Sequence, residues 1–266
     1  MRIDGHGHAC CQYLTVGRIN AELDRHQFDK VVLFPAEPGK DKIDVIPDLK
    51  RKNILYFSNI IGAFLTRFMK LSEKIDMGNT YISDLKKQLP NRIIQFYQVT
   101  PDYVHKLEAD YERMRFSGVK VHQSVKYFSI RSPFFQTVLD FVEKNHLPLV
   151  IHLCGKKDAL DLIETLKRRT VTIIVAHLLF YKLFQKDWEQ LQSKVYFDLA
   201  NYYFVSPKAA LEAVAAFGCE RLIFGSDNPF GVNSIEKTIH LIESLPVDQN
   251  GRAKIMGGNY QAILSL

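Results

Sequence analysis

The sequence predicts a single (β/α)8 TIM barrel with a helical insertion after its second strand. Three observations predict it. Eight β-branched or apolar runs recur along the chain, each the length of a buried strand, and amphipathic stretches separate them. Six of the seven intervals between run starts are one strand plus one helix long. The 266 residues also suit one barrel domain, spanning 1–266, since such barrels run to about 250 residues.

The runs are Arg2–His8, Lys30–Pro35, Arg92–Thr100, Gly118–Gln123, Leu147–Leu153, Val171–His177, Val195–Ala200 and Arg221–Asp227. Their start-to-start intervals are 28, 62, 26, 29, 24, 24 and 26 residues. Ser132-Pro133 and Ser206-Pro207 each place a capping serine before a first-turn proline, and Gly218 stands where a helix ends. The long second interval makes roughly residues 38–78 additional to the second βα unit. That stretch carries Ile60, Ile61, Phe64, Leu65 and Phe68, an apolar set expected on one or two amphipathic helices. A lid over the barrel mouth, a homodimer contact and an extra outer helix are the readings it allows. After the eighth run a helix over Ser234–Leu245 is expected, then a second helical segment to Met256.

Composition excludes several function classes. With 47% hydrophobic and 24% charged residues the chain can bury a large core, which excludes disorder. No run of about 20 apolar residues occurs, and the most apolar stretch, Val171 to Phe184, is broken by His177 and Lys182. The net charge of +6 is spread over short runs such as Lys50-Arg51-Lys52 and Lys167-Arg168-Arg169, which read as solvated helix faces. Neither a nucleic-acid nor a membrane partner is expected, which leaves a small-molecule substrate. Cys10, Cys11, Cys154 and Cys219 form no CxxC, and the start lacks a secretory core, so reduced thiols and a cytoplasmic location are expected.

In such a barrel the chemistry sits at the C-terminal ends of the strands. His6 and His8 end the first run, His122 the fourth, His152 the fifth, His177 the sixth and Asp227 the eighth. Two residues apart on a strand, His6 and His8 point to one face, with Gly5 and Gly7 leaving room, and neutral imidazoles suit zinc and related ions. Each of these residues taken alone also reads as a packed histidine or a turn-capping aspartate. Their coincidence at matched strand ends reads as a site. His26, His105, His146 and His240 fall elsewhere and read as surface or capping residues. Cys154 reads as packing, and Lys156, Lys157, Asn201, Tyr202 and Tyr203 as exposed rim polarity. No GxSxG, GxxxxGK or GxGxxG is present.

The run Ile3-Asp4-Gly5-His6-Gly7-His8 resembles the DxHxH opening of the amidohydrolase superfamily of metal-dependent barrels. More narrowly, the chain resembles the branch that includes aminocarboxymuconate-semialdehyde decarboxylase and dicarboxylate lactonases. Further matching pieces are Gly118-Val119-Lys120-Val121-His122, Ile151-His152-x-x-Gly155, Ala176-His177, Arg221 to Phe230, and Ile255-Met256-Gly257-Gly258-Asn259-Tyr260. The resemblance implies that His6, His8, His152 and Asp227 bind one divalent ion, zinc first, with His177 beside it as an acid/base or oxyanion partner. Asp227 would also take a proton from water. Two departures stand out: Leu179 replaces a usual glycine two residues after His177, and Lys120 and His122 form a possible additional site. A carboxylated Lys120 bridging two ions is the binuclear alternative, with His152 and His177 on the second ion.

These implications favour a metal-dependent hydrolase using a metal-activated water on a small-molecule amide, lactone or ester. The first alternative is a metal-dependent non-oxidative decarboxylase of an unsaturated or aromatic acid. A catalytically inactive metal-binding barrel is the second.

Overall fold

A computed structural model describes residues 1–36, 38–39, 41, 71–231 and 234–266. Eight strands pair in sequence order, every neighbouring pair parallel: β1 Ile3–His8, β2 Lys30–Phe34, β3 Ile93–Gln98, β4 Gly118–His122, β5 Leu149–His152, β6 Ile173–Val175, β7 Val195–Asp198 and β8 Leu222–Ile223. All eight predicted runs are therefore strands. The last run pairs with β7 only over two residues, and its remainder crosses to β1. There Gly5 N–H donates to Phe224 O at 3.0 Å, Asp227 N–H to His6 O at 2.7 Å and His8 N–H to Asn228 O at 2.9 Å. Those bonds bring the two ends of the sheet together.

Strand alternation divides the apolar residues between two cores. Val31, Leu33, Val119, Val121, Leu149, Ile151, Ile173 and Val175 face the helices. Ile3, Val32, Phe34, Ile94, Phe96, Val150, Ile174 and Ile223 fill the barrel with Tyr260. One step further along the strands, the interior turns polar, and there the candidate residues stand.

The helices in order are α1 Val16–Arg25, α2 Leu71–Gln88, α3 Leu107–Met114, α4 Pro133–Lys144, α5 Lys156–Leu166, α6 Tyr181–Phe184, α7 Trp188–Leu191, α8 Pro207–Phe217, α9 Ser234–Glu243, α10 Gln249–Ala253 and α11 Asn259–Leu264. Ser132 and Ser206 accept from the N–H groups of Phe135 and Ala209, capping α4 and α8 as their sequences require. Gly218 closes α8 at a φ of 76°. Asn259 Nδ2 donates to Cys219 O and Leu222 O, and Tyr260 Oη donates to Gly5 O at 3.0 Å, so the C-terminal segment is fastened to the barrel.

The predicted insertion over 38–78 is too long. Residues 71–78 begin α2, the regular helix of the second βα unit, whose Asn79 exchanges two 2.9 Å hydrogen bonds with the backbone of Gln98 on β3. The apolar set Ile60, Ile61, Phe64, Leu65 and Phe68, and with it the lid or homodimer reading, lies outside the described residues. Among the described residues no helix is long and apolar enough to cross a membrane.

Candidate metal centre

A bulge in β1 aims its histidines. Ile3 and Asp4 pair with Lys30 and Val31, whereas Gly7 and His8 pair with Leu33 and Phe34, so Gly5 and His6 together oppose Val32. Strict alternation from the inward Ile3 would send His6 and His8 outward with Asp4. The bulge turns both inward, and the His6 ring lies 4.7 Å from the interior Phe34 ring. Asp4 stays outside, accepting from Tyr13 Oη at 2.8 Å, Ser226 N–H at 2.9 Å and Ser226 Oγ at 2.6 Å. It straps β1 to the chain leaving β8, and burial pushes its carboxyl up to about 6. The sequence suggests that Gly5 and Gly7 leave room for the imidazoles, but the space they leave is filled by the Tyr260 and Tyr13 rings. A Cβ at Gly5 would lie 2.3 Å from the Tyr260 ring, and one at Gly7 2.7 Å from the Tyr13 ring.

The strand ends bring His6, His8 and Asp227 together. His6 Nδ1 lies 2.8 Å from Asp198 Oδ2, and a carboxylate can only accept, so Nδ1 carries the proton and Nε2 a lone pair. His8 Nε2 donates to Asp227 Oδ1 while its Nδ1 faces Pro35 O at 3.5 Å, so it is the alternate tautomer, with the proton on Nδ1, that turns a lone pair inward. The Nε2 atoms of His6 and His8 lie 3.4 and 3.1 Å from Asp227 Oδ1. Two imidazole nitrogens and a carboxylate oxygen thus converge. Their separations match the edge of a ligand tetrahedron, about 3.3 Å for bonds of about 2.0 Å. This donor set fits a divalent ion.

The second layer explains the orientation. Asp198 also accepts from His177 N–H at 2.6 Å and Ala200 N–H at 3.1 Å, so a fully buried carboxylate is satisfied. His6, His177 and Asp198 also form a close trio, but its contacts are these hydrogen bonds. Asp198 is therefore best placed to orient a ligand rather than to be one. His177 Nδ1 meets Ala200 O at 3.0 Å, which makes Nε2 the nitrogen left for other chemistry among the described residues, and its ring stacks 5.0 Å from His6. Asn201 donates from Nδ2 to Asp227 Oδ2 at 2.8 Å and is 2% exposed, so it is not the exposed loop polarity its sequence suggests.

His177, Asn201 and Asp227 hold left-handed backbone at φ 58°, 64° and 55°. Each such residue costs on the order of 1–3 kcal/mol, and all three end adjacent strands at this rim. In the turn after β6 the left-handed residues are His177, Leu178 and Phe180, whereas Leu179 has φ −60°. Leu179, where the family resemblance leads one to expect glycine, thus sits in ordinary backbone that a leucine adopts without strain.

His152 is not in the convergent group. Its ring stacks on His122 with centroids 3.9 Å apart and meets His177 edge-on at 5.1 Å, and its buried Nδ1 has no hydrogen-bond partner among the described residues. His122 Nδ1 accepts from Ser124 N–H at 3.2 Å, so its Nε2 bears the proton in the neutral ring. Lys120 is buried, with Nζ 2.8 Å from His6 Nε2 and 3.9 Å from the centre of the Phe34 ring. Lys120 and His122 therefore face different partners. Cys154, half-buried beside Ser124, has its thiol pushed up to about 11 by burial, which suits packing and not attack.

Burial, reinforced by the Lys120 charge, holds His6 and His8 below the usual imidazole range, which favours the neutral ligand form. Burial likewise lowers His152, with His177 adding to the effect. Burial alone would raise Asp227, but the His177 charge and the His8 hydrogen bond outweigh it and hold the carboxyl well below its ordinary value. Lys120 is drawn down by burial to about 8, against the opposing charges of Asp227 and Asp198.

No family model matches the sequence, and no curated protein matches it in sequence. Solved structures do match. A protein described as an amidohydrolase is 13% identical at a TM-score of 0.70, with all of both chains covered. A probable 2-pyrone-4,6-dicarboxylic acid hydrolase from Acinetobacter baumannii is 16% identical at 0.67, covering 100% of this chain and 99% of that one. A 5-carboxyvanillate decarboxylase from Novosphingobium aromaticivorans, complexed with manganese and 4-hydroxy-3-methoxy-5-nitrobenzoic acid, is 14% identical at 0.68, covering 100% and 96%. At these identities the likeness is one of fold: the chain shares, from end to end, the barrel of hydrolases and decarboxylases of the amidohydrolase type.

Proposed function

We propose that the chain is a metal-dependent hydrolase of a small-molecule amide, lactone or ester. The convergence of His6 Nε2, His8 Nε2 and Asp227 Oδ1, buried and within metal-ligand spacing of one another, carries this reading. These residues would hold one divalent ion, zinc first on a donor set of two imidazoles and a carboxylate. His152, whose buried Nδ1 has no partner among the described residues, is the fourth ligand the family resemblance implies. The ion, when bound, supplies Lewis acidity toward a carbonyl substrate and water. Asp227, anchored through Oδ2 by Asn201 and kept ionised, accepts a proton at its carboxylate. His177, oriented by Ala200 O, gives or takes a proton at Nε2.

Decarboxylation of an aromatic or unsaturated acid is the second reading. Phe204 stacks 5.1 Å from His177 and Phe230 meets His8 edge-on at 4.8 Å, walls that suit a planar substrate. The nearest arginine following a strand end, Arg131, instead spends its guanidinium on Asp161 at 3.0 and 2.6 Å, which favours hydrolysis. The test is a screen of zinc- and manganese-loaded protein against lactones, esters, amides and aromatic or unsaturated acids. Hydrolysis without carbon dioxide release supports the first reading, and carbon dioxide release the second. Metal uptake with no turnover of any class would leave the inactive barrel.

A further inference from the structure

The site already contains a cation of its own. Lys120 reaches in from β4, 1% exposed, and places Nζ 2.8 Å from His6 Nε2. That nitrogen has one lone pair, since the Nδ1 proton of the same ring is committed to Asp198. A Lys120 N–H and a metal ion cannot both use it. A divalent ion among His6, His8 and Asp227 would also stand beside the lysine charge, a repulsion that a buried setting screens poorly.

We propose that Lys120 is an intramolecular competitor for the metal: its amino group holds His6 Nε2 in the metal-free protein, and an ion binds only by displacing it. This rests on the metal reading above. The lysine thereby supplies a donor to a buried acceptor, and it sets the affinity for the ion below what the ligands alone would give. The role differs from that of a carboxylated bridging lysine, which would add a ligand and strengthen binding.

The experiment is titration of the full chain with zinc, and separately with manganese, against a competing chromogenic chelator. It compares the natural sequence with Lys120→Met, which keeps the length and removes donor and charge. Binding at least about 10-fold tighter in Lys120→Met is expected, the scale of one charge-assisted hydrogen bond. Equal or weaker binding overturns the proposal. A second measurement needs no variant. A crystal structure of the zinc-loaded natural protein should show Lys120 Nζ beyond hydrogen-bond reach of His6 Nε2, more than about 3.5 Å away. A retained contact, or Lys120 on the ion, overturns it as well. If neither protein takes up an ion, the metal reading itself fails. If both do so with equal affinity, only the role of Lys120 fails.

Discussion

His6 and Asp198 are joined at 2.8 Å, Nδ1 to Oδ2, between side chains that are 0% and 1% exposed. The bond selects the tautomer that turns Nε2 toward Asp227, so a residue outside the convergent group decides whether His6 can act as a ligand. Partners of this kind typically tune metal affinity by ~10–100-fold. Asp198→Asn should weaken zinc binding on that scale, because an amide can offer an N–H where the ring needs an acceptor. Calorimetric titration, with a thermal melt to confirm folding, reads the effect. Unchanged affinity in a folded variant would reduce Asp198 to a structural role.

His177 and Asp227 should separate on mutation. His177 is oriented by Ala200 O and is not needed for the three-acceptor cluster, so His177→Asn should keep the ion and lower turnover ~100-fold or more. Asp227→Asn should lose both, since a neutral amide is a poor ligand and a poor base. Metal content by elemental analysis beside turnover of the substrate found by the screen checks the pair. Loss of the ion on His177→Asn would make His177 a ligand and revive the two-ion arrangement.

The barrel was legible because parallel βα units impose a length rhythm and a two-residue alternation, and both survive in a single sequence. His6, His8 and Asp227 were legible as candidates because strand ends are where such a barrel keeps its chemistry. What was hidden shares a physical cause. The bulge at Gly5 and His6 depends on how β1 meets β2, so alternation could say that the histidines share a face but not which one. Asp198 and Asn201 act on other side chains across the rim, and such contacts leave no spacing in the sequence. The predicted insertion overruns into α2 because the helix of the second unit has 18 residues, longer than an average βα spacing allows for.

Two glycines give opposite expectations for the fold. A Cβ on Gly5 would lie 2.3 Å from the Tyr260 ring and 2.6 Å from Phe224 O, where the barrel closes. Gly5→Ala should destabilise by about 2 kcal/mol or more, lowering the melting temperature by several degrees. Gly17, near the start of α1, has nothing among the described residues within 4 Å of its Cβ position. Gly17→Ala should be neutral or stabilise by up to about 1 kcal/mol through helix propensity. Equal melting temperatures for the two variants would contradict the packing at the closure.

Acid sensitivity should be traceable to Glu143, at the end of α4 and away from the candidate site. Its carboxylate accepts from Thr170 N–H at 2.6 Å, Thr170 Oγ1 at 3.2 Å and Arg169 Nη1 at 2.7 Å, tying the helix to the loop before β6. Partial burial would raise its pKa, but the bonds from Thr170 and Arg169 prevail and hold it below the ordinary 4.5. A carboxyl depressed in the folded state stabilises the fold above its unfolded pKa and loses that contribution as pH falls through the folded value. Glu143→Gln removes the charge at every pH, so it should cost about 1–2 kcal/mol at pH 7, the scale of hydrogen bonds to a charged group. The gap between the two proteins should then close as pH falls below about 4.5, where the natural side chain gains its proton. Urea denaturation from pH 7 down to about 3 measures both curves. A gap that stays constant across that range would show that the Glu143 bonds do not depend on its charge.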